Sequence, residues 1–211
     1  MIFAILPVKN PRNAKQRLNG FLPAEFRETL ARLLYEQTIG VLCQAGGIDR
    51  VVVVTSDAEI AAHARRLGAM VFAETEQLSH SASADAACLR AMELGATTAL
   101  LVPIDVPLVT AGDFERLAAA ARPGLTIVPS ADGTGTNALV RTPPDVIESR
   151  FGPGSFRAHL EQARLRGCEA DVLRLPGLMF DIDTPEDVAE LLERAPQSPV
   201  AQFLRSACAL K

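Results

Sequence analysis

No apolar run in the chain approaches the ~20 residues that a bilayer-crossing helix needs. The opening MIFAILPVKN has neither a basic leader nor a small-residue cleavage site, so a cytoplasmic protein is expected. A global basic field is also missing. Lysine and arginine number 21 against 25 acidic residues, the net charge is −4, and no block of like charges forms a tail. Nucleic acid and membrane partners are therefore not expected. CxxC spacing is absent: Cys43, Cys88, Cys168 and Cys208 are scattered, and those in apolar helical stretches read as small buried thiols. There is no internal repeat, no low-complexity segment and no GxxxxGK[ST] phosphate loop, so the hydrolytic P-loop class loses support.

What is present is ordinary globular material. With 48% hydrophobic and 22% charged residues in 211, the chain can bury one core, and a single domain over 1–211 is expected, as a monomer or small homo-oligomer. Near-continuous Val, Ile and Leu runs alternate with helical patterns: IFAILPV (2–8), a helix over 23–45, DRVVVVTS (49–56), a helix capped by Asp57, AMVFA (69–73), a helix near 83–95, TTALLVPID (97–105) and a helix over 111–121. That alternation indicates an α/β fold, a mostly parallel sheet with helices on both faces. After LTIVPS (125–130) the segment ADGTGTNALVRT has turn residues and then an apolar run, which predicts an antiparallel excursion. A helix over 155–166 follows. ADVLRLPGLMFDID reads as a strand pair or bent strand, Thr184-Pro185-Glu186-Asp187 as a helix start, and the tail after Pro196 as mixed.

The chemistry-bearing residues cluster at the ends of these elements. Asp105, in VPIDVPL, and the pair Asp181 and Asp183, in MFDIDTPEDV, each close an apolar run that reads as a buried strand. Asp181 and Asp183 flank Ile182, so in extended geometry they share a face, and two like charges there invite a cation. Three carboxylates suit a hard divalent ion; a turn Asp or solvated strand ends are the plain alternatives. The loop PVKNPRNAKQRL carries Lys9, Arg12, Lys15 and Arg17, enough to neutralise a triphosphate, or simply a solvated basic loop. In GTGTNAL two glycines permit close backbone approach, and Thr136 and Asn137 add donors; a hairpin turn is the alternative. The helix starting near Ser155 could hold a phosphate on free N–H groups and the Ser hydroxyl, or merely be capped. His159 lies on the same helical face as Ser155, where a lone histidine is more often structural, and His63 and His80 carry weaker signals.

Taken in order along nearly the whole chain, PVKNPRNAKQRL, PIDVPL, GTGTNALV, FGPGSFRAHLEQA and FDIDTPEDV resemble the 2-phospho-L-lactate guanylyltransferase family. The resemblance implies a Rossmann-like nucleotidyltransferase fold. It also implies Mg²⁺-dependent joining of GMP from GTP to a phosphorylated three-carbon acid, with release of pyrophosphate, in deazaflavin coenzyme biosynthesis. The acid would be 2-phospho-L-lactate, phosphoenolpyruvate or 3-phospho-D-glycerate. Asp105, Asp181 and Asp183 match the family's metal-binding acids, and Lys9, Lys15 and Arg17 its basic nucleotide loop. Thr136, Gly152 and Ser155 match positions holding the acid's phosphate. One segment departs: QLSHSASAD has Ser79 where the family commonly has Asn, in a stretch expected near the nucleotide base. Other readings remain in view: a related nucleotidyltransferase acting on a different acceptor, a non-catalytic nucleotide-binding domain, and a metal-dependent phosphohydrolase. The last would want a nucleophilic DxD after the first strand, where PVKN stands.

Overall fold

The computed structural model describes residues 1–74 and 79–209. Seven strands form one mixed sheet: β1 (Ile2–Pro7), β2 (Arg50–Thr55), β3 (Met70–Ala73), β4 (Thr98–Leu101), β5 (Gly124–Pro129), β6 (Thr136–Thr142) and β7 (Ala170–Val172). Their spatial order is β3-β2-β1-β4-β6-β5-β7. β6 pairs antiparallel with both neighbours, and all other pairings are parallel. The excursion expected after residue 130 is thus the β5–β6 hairpin.

Among the described residues eight α-helices accompany the sheet: α1 (Ala24–Leu42), α2 (Ala58–Arg66), α3 (His80–Glu93), α4 (Ala111–Ala119), α5 (Ser155–Arg166), α6 (Pro176–Met179), α7 (Pro185–Arg194) and α8 (Pro199–Ala209). The period of two along β1 separates two cores. Ala4 and Leu6 pack with Tyr35 and Ile39 of α1, Ile60 of α2 and Phe114 of α4; Phe3 and Ile5 pack on the opposite face with Ala84 and Cys88 of α3 and Ala163 of α5. A third cluster, Leu18, Leu30 and Leu34 with Ile182, Leu191 and Leu204, gathers α1, α7 and α8 beside the sheet. The tail that reads as mixed is therefore a helix with an apolar seat.

Local chemistry explains most element starts. Asp57 accepts from the N–H groups of Glu59 and Ile60 at 2.9 and 3.0 Å. Thr184 and Asp187 form a reciprocal capping box with Pro185 in the first turn. α3 begins earlier than 83 because Ser79 Oγ accepts from Ala82 N at 3.2 Å and caps it.

Two expectations fail. β4 ends at Leu101, so Asp105 lies in a loop and not at a strand end: after Val102 donates to Ile5 O at 3.1 Å, Pro103 has no N–H to continue the ladder. The run before Asp181 is not a strand either. After β7 the chain turns through α6, with Pro176 at its first position, and a Cβ at Gly177 would come within 2.9 Å of Leu108 O. That close packing draws the segment off the sheet.

Candidate functional site

Strand direction assembles the site. The loops leaving β1, β4, β5 and β7 all emerge at one edge of the sheet, and antiparallel β6 begins at that same edge, where open α/β sheets hold ligands. A cleft of about 880 Å³ lies there, lined by the loop after β1, by Asp105, by the β5–β6 turn and by residues 151–155 and 180–187.

The acidic residues converge although neither segment is a strand. Phe180 and Ile182, 3% and 0% exposed, anchor the Phe180–Asp183 stretch in the third cluster, each burial stabilising by about 1.5–3 kcal/mol. Alternation then turns Asp181 and Asp183 toward the cleft. Ile182 N donates to Asp105 O at 3.1 Å, tying the two segments together, and one carboxylate oxygen from each of Asp105, Asp181 and Asp183 lies within 4.8 Å of the others.

Lys15 enters this cluster. Its ammonium donates to Asp105 Oδ2 at 2.7 Å and Asp183 Oδ1 at 3.1 Å, while Arg17 reaches Asp183 Oδ2 at 3.3 Å. Lys15 does so from a left-handed backbone, φ 54°, a conformation that costs an L side chain of this kind about 1 kcal/mol or more. Burial works against the Lys15 ammonium, but Asp105 and Asp183 outweigh it and hold its pKa above the ordinary value. Burial likewise opposes charge on Asp105, and Lys15 overrides it, lowering that pKa. Asp181 is the uncompensated member: burial, then the neighbouring Asp105 charge, push its pKa up to about 6.

Three oxygen donors within 4.8 Å, one of them short of positive charge, fit a hard divalent cation by donor chemistry and by charge. They are the one such group among the described residues. The rest of the basic loop divides. Lys9 lines the cleft and makes no ion pair among the described residues, whereas Arg12 faces Glu28 at 3.9 Å with an exposed side chain.

On the other wall, β6 starts with a bulge: Val128 pairs with Ala138 but Pro129 with Thr136, so Asn137 is the extra residue. Thr136 consequently faces α5, and Asn137 turns toward α6. Both Asn137 N–H groups donate inside the protein, to Leu178 O at 2.9 Å and Asp181 Oδ1 at 3.2 Å; instead of offering donors to the cleft, Asn137 orients Asp181. Gly135 is needed by the loop itself, because a Cβ there would lie 2.9 Å from Ser130 Oγ. Gly152 has φ 130° with open space around it. At the start of α5 the Ser155 and Phe156 N–H groups are already spent on Gly152 O and Thr134 O at 3.1 and 3.2 Å. What Ser155 presents to the cleft is its hydroxyl, which has no partner among the described residues.

Two further contact networks, around Arg141 and around Phe151, shape the wall. Arg141, 2% exposed, donates to Asp85 Oδ1 at 2.7 Å, to Ser149 Oγ at 3.1 Å and to Ile147 O, and Asp85 accepts from Ser149 N at 3.0 Å. This pins the loop that carries Gly152 to α3. Phe151 stacks edge-on between His80 and His159, at 4.8 and 5.2 Å between ring centres, and its N–H donates to Ser81 Oγ at 3.0 Å. The charged residue in the apolar ALVRT run was the one sequence signal for Arg141; nothing local pairs it with Asp85. Of the departing segment QLSHSASAD, Gln77 and Leu78 lie outside the described residues, and Ser79 is the α3 cap at the cleft rim.

The mixed sheet and its one-edge cleft define a nucleotidyltransferase-like α/β protein. Solved structures of similar fold include a protein of Desulfovibrio desulfuricans, with a TM-score of 0.78 at 18% identity and coverage of 99% of this chain and 96% of the other. A nucleotidyl transferase of Methanothermobacter thermautotrophicus follows with a TM-score of 0.66 at 17% identity, covering 98% and 99%.

The sequence narrows the class. Residues 2–209 match the family described as guanylyl transferase CofC like, and the chain belongs to that family. Its relatives include a phosphoenolpyruvate guanylyltransferase of Sphaerobacter thermophilus, 38% identical over 92% of this chain and 93% of the relative. Also similar are a 3-phospho-D-glycerate guanylyltransferase of Colwellia psychrerythraea, 34% identical over 97% and 96%, and a 2-phospho-L-lactate guanylyltransferase of M. thermautotrophicus, 30% identical over 96% and 89%.

Proposed function

We propose that this protein transfers the GMP moiety of GTP to a phosphorylated three-carbon acid, releasing pyrophosphate, as a step toward a deazaflavin coenzyme. The observation that carries the reading is the convergence of Asp105, Asp181 and Asp183 within 4.8 Å in a cleft that the Lys9, Lys15 and Arg17 loop also lines, with Lys15 and Arg17 paired to the acids. Family membership supports guanylyl transfer, and the names of the relatives support the acid class.

The acid's phosphate oxygen attacks the α-phosphorus of GTP. A new P–O bond forms as the bond between the α-phosphorus and the oxygen bridging to the β-phosphate breaks, and pyrophosphate departs. A phosphate dianion needs no deprotonation, so the protein supplies alignment and charge neutralisation and no covalent intermediate. Lys9, Lys15 and Arg17 balance the triphosphate. The hydroxyls of Thr136 and Ser155 and the open backbone at Gly152 hold the acid's phosphate, near the positive end of the α5 dipole. Asn137 and the buried Ile182 keep the acidic residues in register. Asp105, Asp181 and Asp183 would hold Mg²⁺, which supplies charge stabilisation for the phosphate oxygens.

The decisive experiment is a panel of the three acids against GTP, ATP and CTP, with product followed by mass spectrometry. A guanylylated acid and stoichiometric pyrophosphate are expected with GTP. Phosphate release from GTP alone, or no product with any pair while the folded protein binds Mg²⁺ and GTP, overturns the reading.

A further inference from the structure

His159 on α5 makes no contact with the cleft surface and is 0% exposed. Both ring nitrogens are nevertheless engaged. Arg150 N lies 2.8 Å from Nε2, and Thr136 Oγ1 lies 2.9 Å from Nδ1. A backbone N–H can only donate, so Nε2 must be the acceptor. Burial, with Arg141 nearby, pushes the His159 pKa down to about 4, which leaves the ring neutral at physiological pH with its single proton on Nδ1. That proton can go only to Thr136 Oγ1. The threonine oxygen therefore accepts from His159, and its own hydroxyl proton is not used inside the protein, since Thr136 Oγ1 has no other partner among the described residues. Thr136 lines the cleft, so a ligand there can take the free proton.

We infer that His159 is a positioning residue: through the chain Arg150 N–H to Nε2 and Nδ1–H to Thr136 Oγ1, it occupies one lone pair of the Thr136 hydroxyl and leaves that hydroxyl's proton free to donate to an anionic oxygen of the acid substrate. This rests on the proposed function, in which Thr136 holds the acid's phosphate. Without the relay a threonine hydroxyl can present either lone pairs or a proton. With it, one lone pair is already occupied and the proton is free, so a dianion meets a donor that gives up no internal hydrogen bond to bind it. The bulge at Asn137 makes the arrangement possible, because a regular β6 would put Thr136 on the same face as Ala138, away from α5.

The test is a double-substitution cycle read as KM for the acid against KM for GTP, using whichever of phosphoenolpyruvate, 2-phospho-L-lactate and 3-phospho-D-glycerate the protein turns over. Thr136→Val should raise the acid's KM about tenfold or more, the worth of one hydrogen bond to a charged group, with GTP's KM little changed. His159→Leu should do the same, and His159→Asn, whose amide can donate at the Nδ1 position, should restore most of the loss. In the Thr136→Val background His159→Leu should add less than about twofold, because the two act as one unit. A full additional effect there means that His159 serves only the packing of the 150–155 loop and overturns the inference. An unchanged acid KM in Thr136→Val overturns the phosphate-seat reading beneath it and the relay with it. Nitrogen-15 NMR of the histidine ring supplies a readout without turnover: Nδ1 protonated is expected in the wild-type protein, and Nε2 protonated refutes the relay.

Discussion

Ile182 donates its backbone N–H to the carbonyl of Asp105 at 3.1 Å, a single main-chain bond across 77 positions of sequence. It sets the distance between two loop segments whose side chains supply all three converging carboxylates. Because Ile182 is 0% exposed in the third core cluster, the register of the acidic trio is held by apolar packing as much as by hydrogen bonding.

Removing a carboxylate should therefore cost activity and not fold. Asp105→Ala and Asp183→Ala are expected to lower turnover by about a hundredfold or more while circular dichroism and thermal unfolding remain close to wild type. Near-normal turnover in both would refute the assignment of the trio.

Lys15 offers a sharper test, since its ammonium already neutralises Asp105 and Asp183 at 2.7 and 3.1 Å. In Lys15→Met an incoming divalent cation no longer competes with that charge, so calorimetric Mg²⁺ affinity should rise by about tenfold even as turnover collapses. Unchanged or weaker affinity would show that Lys15 does not share the seat.

The Asp85–Arg141 pair sits apart from the chemistry yet holds the Gly152 loop. Asp85→Asn leaves the Arg141 guanidinium buried without its counter-charge, and chemical denaturation should show a loss of about 3 kcal/mol. Asp85→Leu combined with Arg141→Leu should recover part of it. A single substitution that costs nothing would mean that the network is not a stabilising one.

Acid stability follows from His159. Its folded-state pKa, about 4, lies below the ordinary 6.5, so the unfolded chain binds the extra proton first as pH falls. The stability contribution is complete above pH 6.5 and is lost as pH drops toward 4, amounting to ~3 kcal/mol for a shift of this size. His159→Asn should flatten that part of the stability profile; His80, also at about 4, remains in both proteins, so the difference isolates His159. Parallel profiles would contradict the buried neutral ring.

Much of the architecture was legible because it is written in short-range periods. Near-continuous Val, Ile and Leu runs specify strands buried on both faces, Asp57 and Thr184 cap the helices they precede, and the α5 boundaries 155–166 follow from local pattern alone. The acids, the basic loop and the Ser155 helix start could be named from residue type and order. How they act could not. Pro103 and Pro176 ended the runs that read as strands, so Asp105, Asp181 and Asp183 converge through packing of Phe180 and Ile182 and not through sheet pairing. The bulge at Asn137 spent that amide on Asp181 and sent Thr136 to His159, and the buried seat of Lys15 between two aspartates depends on a left-handed backbone. Periodicity and capping are energetics of neighbours in sequence, which the sequence determines; the pairing of Lys15 with Asp183 or His159 with Thr136 depends on strand order and on which face each side chain takes, which only the folded sheet decides.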